Sequence, residues 1–227
     1  MADNTDKVFY YFAIGQGSHK EWLYPIGGTE VKNVLSADVI ILGSHPSDIA
    51  PNIYGDSNWG KQTMGCAQMD DTYIANFCFA KDKKKKVIGL NRGALFLCAK
   101  AGGELIQDVN GHGSNKCTVF HHIVGQDKHR VWVNSMHHQM MNPYTLPKSK
   151  YDVLAVMAPN VSSRYLNQFD NNFEFGDTIN KQGFIEPEVI HFTDIDSLAI
   201  QANPEELNHT QEAIQFYRKL VKQFIND

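Results

Sequence analysis

Hydrophobic positions fall in short, nearly unbroken runs separated by polar, glycine-rich stretches. Val8 to Ile14 (VFYYFAI) and Ala37 to Leu42 (ADVIIL) have the length and continuity of strands buried on both faces. Val87-Ile88 begins another, and Glu104 to Val109, Asp152 to Ala158, Glu188 to Thr193 and Ser197 to Gln201 read as further strands. Cys117 to Val124 and Arg130 to Ser135 alternate apolar and polar residues, which predicts an antiparallel pair. Helical spacing appears in 70–81, with Phe77, Cys78 and Phe79 on or near its buried side, and in a short segment over 19–24. At the C-terminus Ile214, Tyr217, Val221 and Phe224 recur on one face, with Asn203-Pro204-Glu205-Glu206 predicted as the helix start. Pro51 to Met69 and Asn160 to Gln182 carry little periodicity.

The pattern around residues 86–103 organises the rest. Val87-Ile88 runs into Gly89-Leu90-Asn91-Arg92-Gly93, and an apolar helical stretch follows until Gly102-Gly103. A strand passing through a tight turn into a helix is the shape of a nucleophile elbow, in which glycines leave room for strand and helix to approach. The residue at the tip is Asn91, whose carboxamide is a poor nucleophile. The loop Gly43-Ser44-His45-Pro46-Ser47-Asp48 follows the second strand, at the end where open α/β sheets place their sites.

Composition narrows the function classes. The 227 residues suit one large domain, without internal repeat or linker. A net charge of −4 gives no global basic field for nucleic acid, and the run Lys81 to Lys86 reads as a solvated helix end or loop. The four cysteines, Cys66, Cys78, Cys98 and Cys117, show no CxxC spacing and suit a reducing compartment. No secretory leader pattern and no apolar run of membrane-spanning length is visible, so a cytoplasmic protein with no membrane partner is expected. His112, His121, His122, His137 and His138 make a histidine-rich middle. Adjacent strand residues point to opposite faces, so His121 and His122 do not suit one ion, and neither metal nor cofactor is expected.

Five stretches in register resemble the class I glutamine amidotransferase-like superfamily, on its γ-glutamyl hydrolase-like (peptidase C26) branch. Gly89-Leu90-Asn91-Arg92-Gly93 is similar to that branch's G-[IV]-C-R-G elbow, and Ala101 to Asp108 to its A-x-G-G-x-L-x-Q-D/H segment. Asn134-Ser135-Met136-His137-His138-Gln139 resembles its N-S-x-H-H-Q loop. Ile200 to Glu205 resembles V-Q-[WFG]-H-P-E, and Asp48-Ile49-Ala50-Pro51 with Tyr54-Gly55 resembles D-I-x-P-x-x-Y-G. The segment His-His-Gln-Met-Met-Asn-Pro-Tyr, together with His112, looks most like relatives in bacterial and tailed-phage genomes, which would place the protein in a host cytoplasm if phage-encoded.

The resemblance implies a flavodoxin-like α/β fold over residues 1–227: a mostly parallel central sheet, flanking helices and a short antiparallel section. It also implies a cysteine nucleophile, a histidine base and a glutamate that orients it. At those positions stand Asn91, Asn203 and Glu205, so the nucleophile and the base are both replaced by carboxamides. The family's oxyanion glycines fall near His45-Pro46, and proline has no N–H to donate. The expectation is a catalytically silent relative that binds a partner protein, a second copy of itself, or a glutamine-like or γ-glutamyl small molecule. The residues expected around such a ligand are Asn91, Arg92, His138, Gln139, Asn203 and Glu205. The alternative is a glutamine amidotransferase or γ-glutamyl hydrolase with relocated machinery, using Cys66, Cys98 or Cys117 with His45, His112 or His138.

Overall fold

The computed structural model describes residues 8–14, 28–57, 63–113, 119–166, 185–206 and 210–227. Cys117, the segment 19–24 and most of the polar stretch 160–182 lie outside them, as does the side chain of His121. In chain order the strands are β1 (Phe9–Ile14), β2 (Thr29–Glu30) and β3 (Val39–Leu42), then helix α1 (Ala67–Asp82). Next come β4 (Lys86–Leu90), helix α2 (Arg92–Lys100), β5 (Glu104–Ile106), β6 (Asp108–Val109), β7 (Val119–Gly125), β8 (Arg130–Ser135) and β9 (Met140–Asn142). The chain continues through β10 (Tyr151–Met157), β11 (Tyr165–Leu166), β12 (Pro187–Phe192), β13 (Ser197–Ile200) and α3 (Gln211–Asn226).

Nine of these strands form one sheet in the order β2-β1-β3-β4-β13-β12-β10-β7-β8. Alternation along each strand decides which layer a side chain joins. Val39 and Ile41 of β3 face α3, packing with Ile88, Leu90, Leu198 and Ile200 against Phe216, Tyr217 and Phe224. Ile40 and Leu42 face the other way, toward Tyr73 and Phe77 of α1 and the apolar residues of α2. Each fully buried aliphatic side chain contributes about 1.5–3 kcal/mol, so strands that are apolar on both faces stabilise both helical layers. Among the described residues no helix is long and apolar enough to cross a membrane.

Four sheet pairings are parallel (β2–β1, β1–β3, β3–β4, β4–β13) and four are antiparallel (β13–β12, β12–β10, β10–β7, β7–β8). The antiparallel part is therefore as large as the parallel part, not the short section expected. The reason is local: β7–β8 and β12–β13 are joined by connections of a few residues, which permit only antiparallel neighbours.

Three further expectations shift. Helix α1 starts at Ala67, and Cys78 is exposed while Phe77 is buried, because one helical step rotates the side chain away from the core. The predicted strand 104–109 splits at Gln107, whose buried amide donates to Asp56 Oδ2 (2.9 Å) and the Ser57 carbonyl (2.6 Å). Helix α3 begins at Gln211, with the Thr210 hydroxyl accepting from the Ala213 N–H at 3.1 Å, rather than at Asn203. Residues 203–206 form a separate turn because the Asn134 side chain grips the Asn203 backbone on both its N–H and its carbonyl, each at 3.0 Å.

Candidate functional site

The elbow forms where β4 passes into α2. Asn91 takes φ +46° and ψ −104°, a conformation that L-residues rarely adopt. Two glycines make the turn possible. A Cβ on Gly93 would sit 2.0 Å from the Leu42 carbonyl oxygen, and one on Gly89 would sit 2.4 Å from the Gly93 oxygen. The Asn91 N–H donates to the Ile200 carbonyl at 2.8 Å, tying the tip to the end of β13.

The two carboxamides meet at this tip. Asn91 Nδ2 donates to Asn203 Oδ1 at 2.6 Å, and both residues are buried. Asn134, at the end of β8, fixes Asn203 through its two backbone contacts, so three asparagines lock the sheet ends together. Glu205 is also buried, but its Oε1 accepts from the N–H and hydroxyl of Ser44. Its Oε2 has no protein hydrogen-bond partner among the described residues. Burial pushes the Glu205 carboxyl up to about 7, against the opposing hydrogen bonds from Ser44.

A cavity of about 220 Å³ opens over the tip, lined by Ser44, His45, Pro46, Asn91, Met136, Asn203 and Glu206. Of the six residues expected around a ligand, Asn91 and Asn203 line it and Glu205 stands beside it through Ser44. The other three are framework. The buried Arg92 guanidinium donates to the Ser47 carbonyl (2.9 Å), the Asp48 carbonyl (3.1 Å) and Asp70 Oδ1 (2.5 Å), and stacks over Tyr73. Gln139 Oε1 accepts from the Ile49 N–H at 3.0 Å. His138 bridges Asp48 (2.8 Å) and Asp108 (3.3 Å), and hydrogen bonds to Asp108 and Asp48 raise it to about 9. These side chains brace the loop carrying Ser44 to Asp48, and do not face the cavity. Ser44, Met136 and Glu206 line the cavity without being among the residues expected around a ligand, although Ser44 lies in the loop expected at the site end of the sheet. Met136 sits inside a matched motif and Glu206 directly follows one.

Of the candidate relocated thiols, the two among the described residues, Cys66 and Cys98, do not line the cavity. Cys98 is buried in α2 with its Sγ 3.4 Å from the Glu104 carbonyl oxygen, and burial pushes it up to about 12. Cys66 caps α1. His45 reaches the cavity, but its Nδ1 is engaged with Ser47 at 2.9 Å, and burial followed by the Arg92 charge lowers its pKa.

The Peptidase C26 family profile matches residues 28–161, more than half the chain, including the elbow and the Asn134 to Gln139 loop. The chain belongs to the Peptidase C26 family. Solved structures agree in fold. A Thermoplasma acidophilum protein designated a GMP synthase component superposes with a TM-score of 0.56 at 16% identity, covering 97% of this chain and 93% of that one. A glutamine amidotransferase from Thermotoga maritima gives 0.51 at 9% identity over 96% and 85% of the two chains. The protein SMU.1228c gives 0.51 at 14% identity over 96% and 97%. This Peptidase C26 member thus has the α/β fold of class I glutamine amidotransferases. No curated protein sequence matches it.

Proposed function

We propose that this Peptidase C26 member is a catalytically silent binding protein whose elbow cavity holds a small polar ligand with a carboxamide or γ-glutamyl group. The carrying observation is the 2.6 Å hydrogen bond between Asn91 and Asn203. Attack on an amide needs a nucleophile, a thiolate in the family's pattern, and a proton acceptor, and a pair of carboxamides offers neither. Glu205, which in the family pattern orients a histidine, instead holds Ser44. Pro46 stands where a donor to an oxyanion is wanted, and it has no N–H.

Of the partners expected, the small ligand is the one the cavity favours. Its walls offer amide donors and acceptors on Asn91 and Asn203, the Ser44 hydroxyl, the His45 ring and the apolar Met136. An amide or carboxylate head is met by groups of this kind.

The experiment pairs turnover with binding. Purified protein is incubated with glutamine and γ-glutamyl amides while released ammonia and glutamate are followed, and the same compounds are titrated by calorimetry. No turnover is expected, with binding of a γ-glutamyl compound weakened at least tenfold in Asn91→Ala. Hydrolysis lost on replacing Asn91 would overturn the silent reading, and failure of every γ-glutamyl or carboxamide compound to bind would overturn the ligand reading.

A further inference from the structure

Next to the cavity residue Met136, the side chain of His137 turns into the interior. It meets His112, from the bend after β6, and Glu188 of β12. All three are buried, at 4%, 0% and 2% exposure. One donor atom from each lies within 4.8 Å of the other two, and the imidazole rings are 4.6 Å apart at a 34° tilt.

The surroundings fix which ring nitrogen points inward. His137 Nδ1 is 2.8 Å from the Gln139 carbonyl oxygen, which can only accept, so Nδ1 carries the hydrogen and Nε2 presents the lone pair. His112 Nε2 is 3.2 Å from Glu186 Oε2, and the Glu186 carboxylate also accepts from the Val161 and Ser162 N–H groups and the Tyr165 hydroxyl. That carboxylate places the hydrogen on His112 Nε2 and leaves Nδ1 with the lone pair. Nδ1 then faces Glu188 Oε1 at 3.9 Å. Glu188 Oε1 has no hydrogen-bond partner among the described residues. Two imidazole nitrogens and a buried carboxylate oxygen therefore converge, and a positive charge between them, a metal ion or a proton, offsets their mutual repulsion.

We propose that His112 Nδ1, His137 Nε2 and Glu188 Oε1 bind one divalent transition-metal ion of the zinc class. Two nitrogens and one oxygen suit such an ion, whereas calcium and magnesium take oxygen ligands. Tetrahedral bonds of about 2.0–2.1 Å put donors about 3.4 Å apart, so the side chains close in by about 1.4 Å at most. The Glu186–His112 hydrogen bond is the outer support that metal-bound imidazoles characteristically have. Ser135 Oγ lies 3.3 Å from His112 Nδ1, but its hydroxyl donates to the His112 carbonyl at 2.8 Å, so its hydrogen does not occupy the Nδ1 lone pair. The ion would cross-link the bend after β6, the end of β8 and β12. This inference stands apart from the ligand reading of the elbow.

Because the site is enclosed, the full chain is refolded from denaturant with Zn²⁺ or with chelator, desalted, and its metal content measured. Affinity is then read by competition with a chromophoric chelator, and Co²⁺ serves as a spectroscopic probe. One equivalent of Zn²⁺ is expected, with binding weakened roughly 100-fold or more in the near-isosteric Glu188→Gln and unchanged in His129→Ala, an exposed histidine. Wild-type protein refolded with Zn²⁺ but holding none would overturn the proposal, as would Glu188→Gln binding like wild type. Should Glu188→Gln fail to refold, wild-type Co²⁺ spectra and metal-edge absorption decide: two imidazoles support the site, and none, or thiolate ligation, refutes it.

Discussion

Removing the charge of Asp70 tests whether the elbow rests on a buried ion pair. Arg92 and Asp70 are 1% and 4% exposed at their side chains, with Nη2 and Oδ1 2.5 Å apart. Taking away one member of such a pair costs about 3–5 kcal/mol, because the remaining charge stays buried and uncompensated. In Asp70→Asn the guanidinium keeps its bonds to the Ser47 and Asp48 carbonyls and its place over Tyr73, so the lower end applies, about 3 kcal/mol. For a chain of this size that lowers Tm by roughly 6–12 °C, a large share of a typical total stability of 5–15 kcal/mol.

The pair is itself incompletely satisfied, since Arg92 Nη1 and Asp70 Oδ2 have no hydrogen-bond partner among the described residues. Replacing both with apolar residues (Arg92→Met with Asp70→Leu) should therefore cost less than the sum of the two single replacements, because neither charge is left buried alone. What remains is the loss of a donor for the Ser47 and Asp48 carbonyls, at about 1–3 kcal/mol for each one left unsatisfied. Urea unfolding of wild type, both single variants and the double variant, at pH 7 and about 0.15 M salt, measures the coupling. A cost below about 1 kcal/mol for Asp70→Asn would refute the reasoning, since it is the value of a solvated surface pair.

Gly93→Ala should destabilise by more than about 3 kcal/mol or prevent folding, because its Cβ would lie 2.0 Å from a backbone oxygen of β3 and neither β3 nor α2 can withdraw; thermal melting checks it. Glu205→Gln probes pH dependence. A carboxyl raised from 4.5 to about 7 on folding binds its proton more tightly in the folded state, so its contribution to stability falls as pH rises from about 4.5 to 7. The glutamine variant keeps an acceptor for Ser44 without the charge. Relative to wild type it should gain stability across that window, by roughly 3 kcal/mol at pH 8, in denaturant titrations at several pH values.

The elbow is an example of what was legible and what was not. Gly89, Asn91 and Gly93 are readable because a strand-to-helix turn this tight demands glycines on either side of its tip, whatever surrounds it. Asn203 was assigned by its motif, yet the motif says nothing of the contact it makes with Asn91 112 residues away. Arg92, His138 and Gln139 belong to the same motifs but brace loops instead of facing the cavity. A motif records that a residue is needed without recording which way its side chain points. Likewise Pro204 and the glutamates after it read as a helix start. Asn134 and Ser44, both distant in sequence, hold that segment as a turn instead.

The sequence alone determined the longer strands, the apolar face of the last helix, the strand-to-helix elbow, and the replacement of sulfur and imidazole by carboxamides. These follow from apolar runs and their periodicity, from glycine geometry and from residue identity, all of them local. Tertiary structure alone decided the equal division of the sheet into parallel and antiparallel halves, the turning of Glu205 toward Ser44, and the meeting of His112, His137 and Glu188. Each depends on segments brought together only when the core closes, where exclusion of water makes a buried charge choose its partner from whatever the fold sets beside it.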